Sequence, residues 1–189
     1  KFLKKTICLS FISFYLLKID QIQSVIPYYY LPTKNNLNRD SLSIGKNAYQ
    51  LLYFGQYEDS LNLAKLAVKI NATDEKLWLI LSEAQVANNL YKNALNSLDK
   101  AQKINPNISE IYFAKSNIYL QISQQNKAKN ALEKGLRIEP NNHKAIFQLG
   151  NILLIEKNYS GAIELFDKSL KIQPDFWQAI NNKGLAYFE

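Results

Sequence analysis

The chain has 189 residues, 47% of them hydrophobic, with 23 basic and 16 acidic side chains for a net charge of +7. One cysteine, Cys8, and one histidine, His143, exclude a disulfide framework, a cysteine zinc site and a paired-histidine metal centre. Six glycines, with neither GxGxxG nor GxxxxGK[ST], leave little room for a phosphate-cradling loop; no cofactor, catalytic residue, metal or small-molecule substrate is expected.

The chain opens on Lys1-Phe2-Leu3-Lys4-Lys5, and no further charge occurs until Lys18. A bilayer core needs ~20 apolar residues in a helix, so this run is short for a span. A basic start before a short apolar core is the pattern of a secretory signal. Residues 1–24 therefore read as a signal peptide or an uncleaved membrane anchor, with the membrane as partner. The localisation expected is exported or membrane-associated, with the cytoplasm as the alternative. Residues 25–40 hold Pro27, Pro32, three consecutive tyrosines and an Asn-rich stretch, and read as a linker.

From residue 41 a fixed period takes over. The turns Asn105-Pro106-Asn107, Glu139-Pro140-Asn141 and Gln173-Pro174-Asp175 place their prolines 34 residues apart. Asn71-Ala72-Thr73-Asp74 stands one period earlier. The repeats are then 41–74, 75–108, 109–142 and 143–176, with a partial fifth over 177–189. Within each, apolar residues recur at helical spacing, as in Trp78, Leu81, Ala94, Leu98 and Ala101 of the second. Small residues recur at the eighth place (Ser82, Ser116, Gly150) and the twentieth (Ala94, Ala128, Ala162), where two helices can approach closely. Each period predicts two helices joined by a tight turn such as Asn88-Asn89 or Lys157-Asn158, and the fold class is all-α. No single pair can bury its apolar stripe alone; stacking does that.

These residues resemble the tetratricopeptide repeat (TPR) family over residues 41–189. The resemblance implies a right-handed superhelical solenoid of antiparallel helix pairs. Departures from the family pattern are Ala72 at the turn proline, Ser60 for alanine, and Gln85 and Lys115 at usually apolar places. The fifth repeat supplies only a first helix with few polar positions, so the natural chain is expected to continue past Glu189, and the lack of a methionine at position 1 reads as a fragment or a lost first residue.

The resemblance also implies a concave groove lined by the first helix of each pair. Its exposed places hold Tyr49, Tyr53, Lys76, Glu83, Phe113, Asn117, Gln121, Lys144, Phe147, Asn151, Asn181 and Phe188. Such a surface is aromatic and amide-rich, and suits an extended protein or peptide partner. Asn117 and Asn151 occupy equivalent places one repeat apart. The carboxylate clamp by which some TPR proteins hold chaperone tails needs basic and Asn residues at set places, and only Asn117 fits. Helical repeats that read RNA need a basic stripe along the first helices; Lys76 and Lys144 do not make one, so no nucleic acid is expected. His143 reads as a solvated or capping residue. The lysines of the second helices are interleaved with acids and read as a solvated convex face.

The leading expectation is a non-catalytic protein-interaction scaffold at or across a membrane. A basic leader followed by TPRs also resembles cyanobacterial and plastid assembly factors. An RNA-binding helical repeat and the regulatory arm of a larger enzyme are the alternatives. The charge is split: residues 1–40 hold six basic and two acidic side chains, residues 41–189 seventeen and fourteen.

Overall fold

The computed structural model describes residues 34–189, with side chains described from Asp40 onward. Among these residues every regular element is a helix: α1 (Lys34–Tyr53), α2 (Tyr57–Ile70), α3 (Glu75–Ala87), α4 (Tyr91–Ile104), α5 (Ser109–Gln121), α6 (Gln125–Ile138), α7 (His143–Ile155), α8 (Tyr159–Ile172) and α9 (Trp177–Phe188). Each helix packs most closely on its partner in the pair α1–α2, α3–α4, α5–α6 or α7–α8, then on the next pair, and α9 packs on α8. The core follows this order. It is a chain of local clusters along the array, with Leu77, Leu98 and Ile111 in the first, Leu132 and Ile152 in the second and Phe166 in the third. Neighbour-only packing of this kind is the mark of a solenoid.

The tight turn inside each pair is built identically. Gly55, Asn89, Ser123 and Lys157 all have positive φ, between 58° and 74°. The next residue then donates its backbone N–H back across the helix end: Gln56 to Leu51 O, Leu90 to Gln85 O, Gln124 to Tyr119 O and Asn158 to Leu153 O, at 2.7–2.9 Å. Each turn residue itself donates to the carbonyl three places back, so two end carbonyls are satisfied, as in a Schellman motif. Left-handed backbone is natural for glycine and tolerable for asparagine, but strained for Ser123 and Lys157.

The turns between pairs hold with or without proline. Trp78 Nε1 donates to Ala72 O at 2.9 Å, and Tyr112 Oη donates to Pro106 O at 2.9 Å. These aromatics share one place in the period, so the side chain that fills the interface also ties down the preceding turn. The other departures from the family pattern are likewise partnered. Ser60 Oγ donates to Ala48 O at 2.7 Å, and Gln85 Oε1 accepts from Ser97 Oγ at 2.7 Å. Lys115, 9% exposed, extends Nζ to Asp99 Oδ1 at 2.6 Å and Gln102 Oε1 at 2.5 Å. Buried polar groups satisfied in this way cost the fold little.

The close approach of helices shows an internal logic at the eighth place. A Cβ on Gly150 would lie 2.7 Å from Phe166 Cε1. Repeats two and three have Ser82 and Ser116 at this place, with Leu98 and Leu132 where the fourth has Phe166. The larger ring on α8 thus requires the missing side chain on α7.

One boundary differs from the sequence reading. Helix α1 begins at Lys34, so residues 34–40, the last part of the 25–40 segment, are helical and run straight into the first repeat. No proline occurs between Pro32 and Pro106, and a helix nucleated in the first repeat gains one backbone hydrogen bond for each residue it adds backwards. The signal or anchor reading of residues 1–24 and the linker reading of 25–33 lie outside the described residues. Among the described residues no helix is long and apolar enough to cross a membrane.

Candidate functional site

The first helices α1, α3, α5, α7 and α9 carry the groove residues expected from the sequence; the first four are each held at their angle by the packed second helix of their own pair, and α9 by α8. Tyr49 and Tyr53 are 55% and 86% exposed, and Phe188 at the other end is also open. Lys76, Glu83, Asn117, Gln121, Lys144 and Asn181 are exposed as well.

Phe113 and Phe147 are placed differently. Both are half-buried. The ring of Phe113 lies over Gly135 of α6, so closely that a Cβ there would be 2.4 Å from Cε1. Phe147 packs against Phe166 and Phe176 with ring centroids 5.7 and 5.0 Å away. These rings therefore belong in part to the packing beneath the groove.

The asparagines are organised across repeats. Asn117 Oδ1 accepts from Gln148 Nε2 at 2.9 Å, and Asn151 Oδ1 accepts from Asn182 Nδ2 at 2.7 Å. Both bonds join the ninth place of one repeat to the sixth place of the next. They occupy the carbonyl oxygen of each asparagine and leave its two N–H donors for the groove. Sequence reasoning did not find Gln148 and Asn182 as partners of the ladder. The signal was present as an amide 31 residues after each asparagine.

Glu83 stands at the same ninth place in repeat two, where the sixth place of the next repeat is Ala114 and offers no amide. Its surface is open, but the protein on either side strips enough water to raise its carboxyl above the ordinary value. His143 opens α7 with its ring set edge-to-face on Phe176 at 5.1 Å; the helix cap is Asn142, whose side chain accepts from Ala145 N. Among the described residues no cluster of three or more His, Cys, Asp or Glu side chains could hold a metal ion.

Comparison with known proteins follows the same periods. The tetratricopeptide repeat profiles match residues 75–108, 109–142 and 143–176. No curated protein matches the chain. Among solved structures, the chain is similar to MamA with a TM-score of 0.70 and 22% identity, covering 81% of this chain and 82% of that one. It is similar to TTC0263, a thermophilic TPR protein of Thermus thermophilus, with a TM-score of 0.68 and 18% identity over 82% of this chain and 89% of that one. It is also similar to YrrB, described as a TPR protein with an unusual peptide-binding site, with a TM-score of 0.63 and 19% identity over 78% of this chain and 76% of that one. At these identities the three structures share the fold. Nine helices among the described residues, the common turn in every pair and profile matches over three whole repeats lead to one conclusion: the chain belongs to the tetratricopeptide repeat family.

Proposed function

We propose that the chain is a non-catalytic interaction scaffold that holds an extended segment of a partner protein along the first helices of its repeats. The observation that carries this reading is the pair of amide bonds from Gln148 to Asn117 and from Asn182 to Asn151. An extended polypeptide offers backbone carbonyls whatever its sequence, and the asparagine N–H groups are the matching donors. Their repetition in successive repeats suits a ligand that lies across the array. The open rings of Tyr49 and Tyr53 add apolar area at one end. The peptide-binding site named for the similar YrrB is consistent with this use of the fold.

Micromolar binding needs ~8 kcal/mol, within reach of a few amide and aromatic contacts. Asn117→Ala with Asn151→Ala is expected to reduce partner recovery in a pull-down about tenfold or more, at ~1 kcal/mol for each lost hydrogen bond. Unchanged recovery by a variant with an unchanged melting curve would remove the groove from the proposal. The finer part is that the scaffold serves assembly at a membrane, reached through residues 1–24. Its support is the basic, then apolar, leader sequence. Fractionation of the full chain against one starting at Lys34 tests it, and equal partition of the two would sink it.

A further inference from the structure

We propose that the furrow between α4 and α6, on the second helices of repeats two and three, binds an acidic segment of a protein as a surface separate from the first-helix groove.

The charge of the repeat body is concentrated there. Helices α2 and α8 each carry two basic and two acidic side chains, so their charges balance. Helix α4 carries three lysines against one aspartate, and α6 three lysines and an arginine against one glutamate. The aspartate, Asp99, is already engaged by buried Lys115 at 2.6 Å. Among the described residues no carboxylate forms an ion pair with Lys92, Lys127 or Lys134. In the linear sequence these lysines look interleaved with acids; in space Asp99 is held by Lys115 and Glu156 by Lys129, and neither pairs with them.

A cavity lies between the two helices. Its wider part, about 610 Å³, is lined by Leu90, Lys92, Leu95, Ile122 and Lys127 among others. A narrower part of about 180 Å³ continues past Tyr112 and Ala131 to Lys134. The two parts adjoin at Tyr119 and Lys127, which line both, and no carboxylate lines either. A 14-residue helix such as α4 is ~21 Å long, which accommodates about six extended residues.

The lining favours polypeptide over nucleic acid. Single strands bind by stacking bases on open aromatic faces. Here the ring shared by both parts, Tyr119, already has the Lys127 ammonium over its face, 5.8 Å from its centroid. Beside the tyrosines, the aliphatic side chains of Leu90, Leu95, Ile122 and Ala131 line the furrow and fit side chains between the acidic residues of a peptide.

The test is fluorescence anisotropy with the full chain. The probes are a labelled peptide of about six alternating Glu and Leu residues, its Lys and Leu counterpart, and oligo(dT). The acidic peptide is expected to bind, and to bind more weakly as salt is raised. Lys92→Gln with Lys127→Gln should lower its affinity about tenfold or more. Lys168→Gln with Lys171→Gln on balanced α8, and Asn117→Ala with Asn151→Ala in the groove, should leave it unchanged. That last pair separates the furrow from the groove, since either can fail without the other. No binding of the acidic peptide would overturn the proposal, as would equal loss in the α8 pair or tighter binding of oligo(dT) or the basic peptide. All four substituted lysines are solvent-facing, and circular dichroism confirms that each variant is folded.

Discussion

Gly150 and Phe166 form a pair whose coupling can be measured. An alanine at 150 would put its Cβ 2.7 and 2.9 Å from two ring carbons of Phe166. Ordinary carbon–carbon contact is ~3.5 Å, so ring and helix must separate by roughly 0.8 Å. Phe166 is fully buried, so its ring cannot swing out into solvent. Overpacking of this kind costs ~1–3 kcal/mol, while alanine returns ~1 kcal/mol of helix propensity over glycine. Gly150→Ala should therefore destabilise by about 1 kcal/mol net. Phe166→Leu alone removes buried carbons and should cost roughly 1–2 kcal/mol. Together they recreate the small-residue-with-leucine pairing of repeats two and three, and the double variant should be more stable than the sum of the single effects by ~1–2 kcal/mol. Urea denaturation of the four proteins, followed by far-UV circular dichroism, gives the cycle if the slopes agree. Additivity within ~0.5 kcal/mol would refute the steric argument.

Three further outcomes follow from the structure. Lys157→Gly should stabilise by ~0.5–1 kcal/mol, because φ of 60° is costly for lysine and natural for glycine; a lower urea midpoint would contradict the turn geometry. Lys115→Leu should be neutral or stabilising, since Asp99 is open enough to rehydrate, whereas Asp99→Ala should cost about 1 kcal/mol or more by leaving the buried ammonium short of a partner. The reverse order of the two melting temperatures would show that the ion pair is not the reason Lys115 is tolerated. Glu83 has a raised folded-state pKa, so the stability it contributes is present at low pH and lost as pH rises through that value. Glu83→Gln should accordingly raise Tm at neutral pH, with the gap closing as pH falls into the ordinary carboxylate range; a gap independent of pH would count against enclosure as the cause.

The helical repeat was legible because each 34-residue unit writes the same constraints several times. Ala94, Ala128 and Ala162 are all fully buried at the close approach of their helices, and no tertiary detail is needed to see that only small residues suit that place. The groove was legible as a face and not as a surface. Spacing put Phe113 and Asn117 on the same stripe of α5, but the depth of each was decided elsewhere. Gly135 opened a slot that draws Phe113 in, and Gln148 turned the Asn117 amide outward. Both partners lie more than twenty residues away on other helices. The furrow was hidden for a related reason. Lys115 and Asp99 sit on different helices, so charge counting along the chain could not reveal that the acid beside Lys100 is already engaged.

The two tryptophans turn the array into its own pair of local spectroscopic probes. Trp78 is sealed between repeats one and two, with its indole N–H on Ala72 O and Lys100 Nζ 4.3 Å from its ring centroid. Trp177, on α9, is 67% exposed. A native emission spectrum should hold a blue-shifted component from the first and a water-like one from the second. On denaturation only the first has far to move. Intrinsic fluorescence will then report the second repeat, while circular dichroism averages all the helices. In a chain of neighbour-coupled units the two curves need not coincide, and the separation of their midpoints would measure how tightly the second repeat is bound into the fate of the rest.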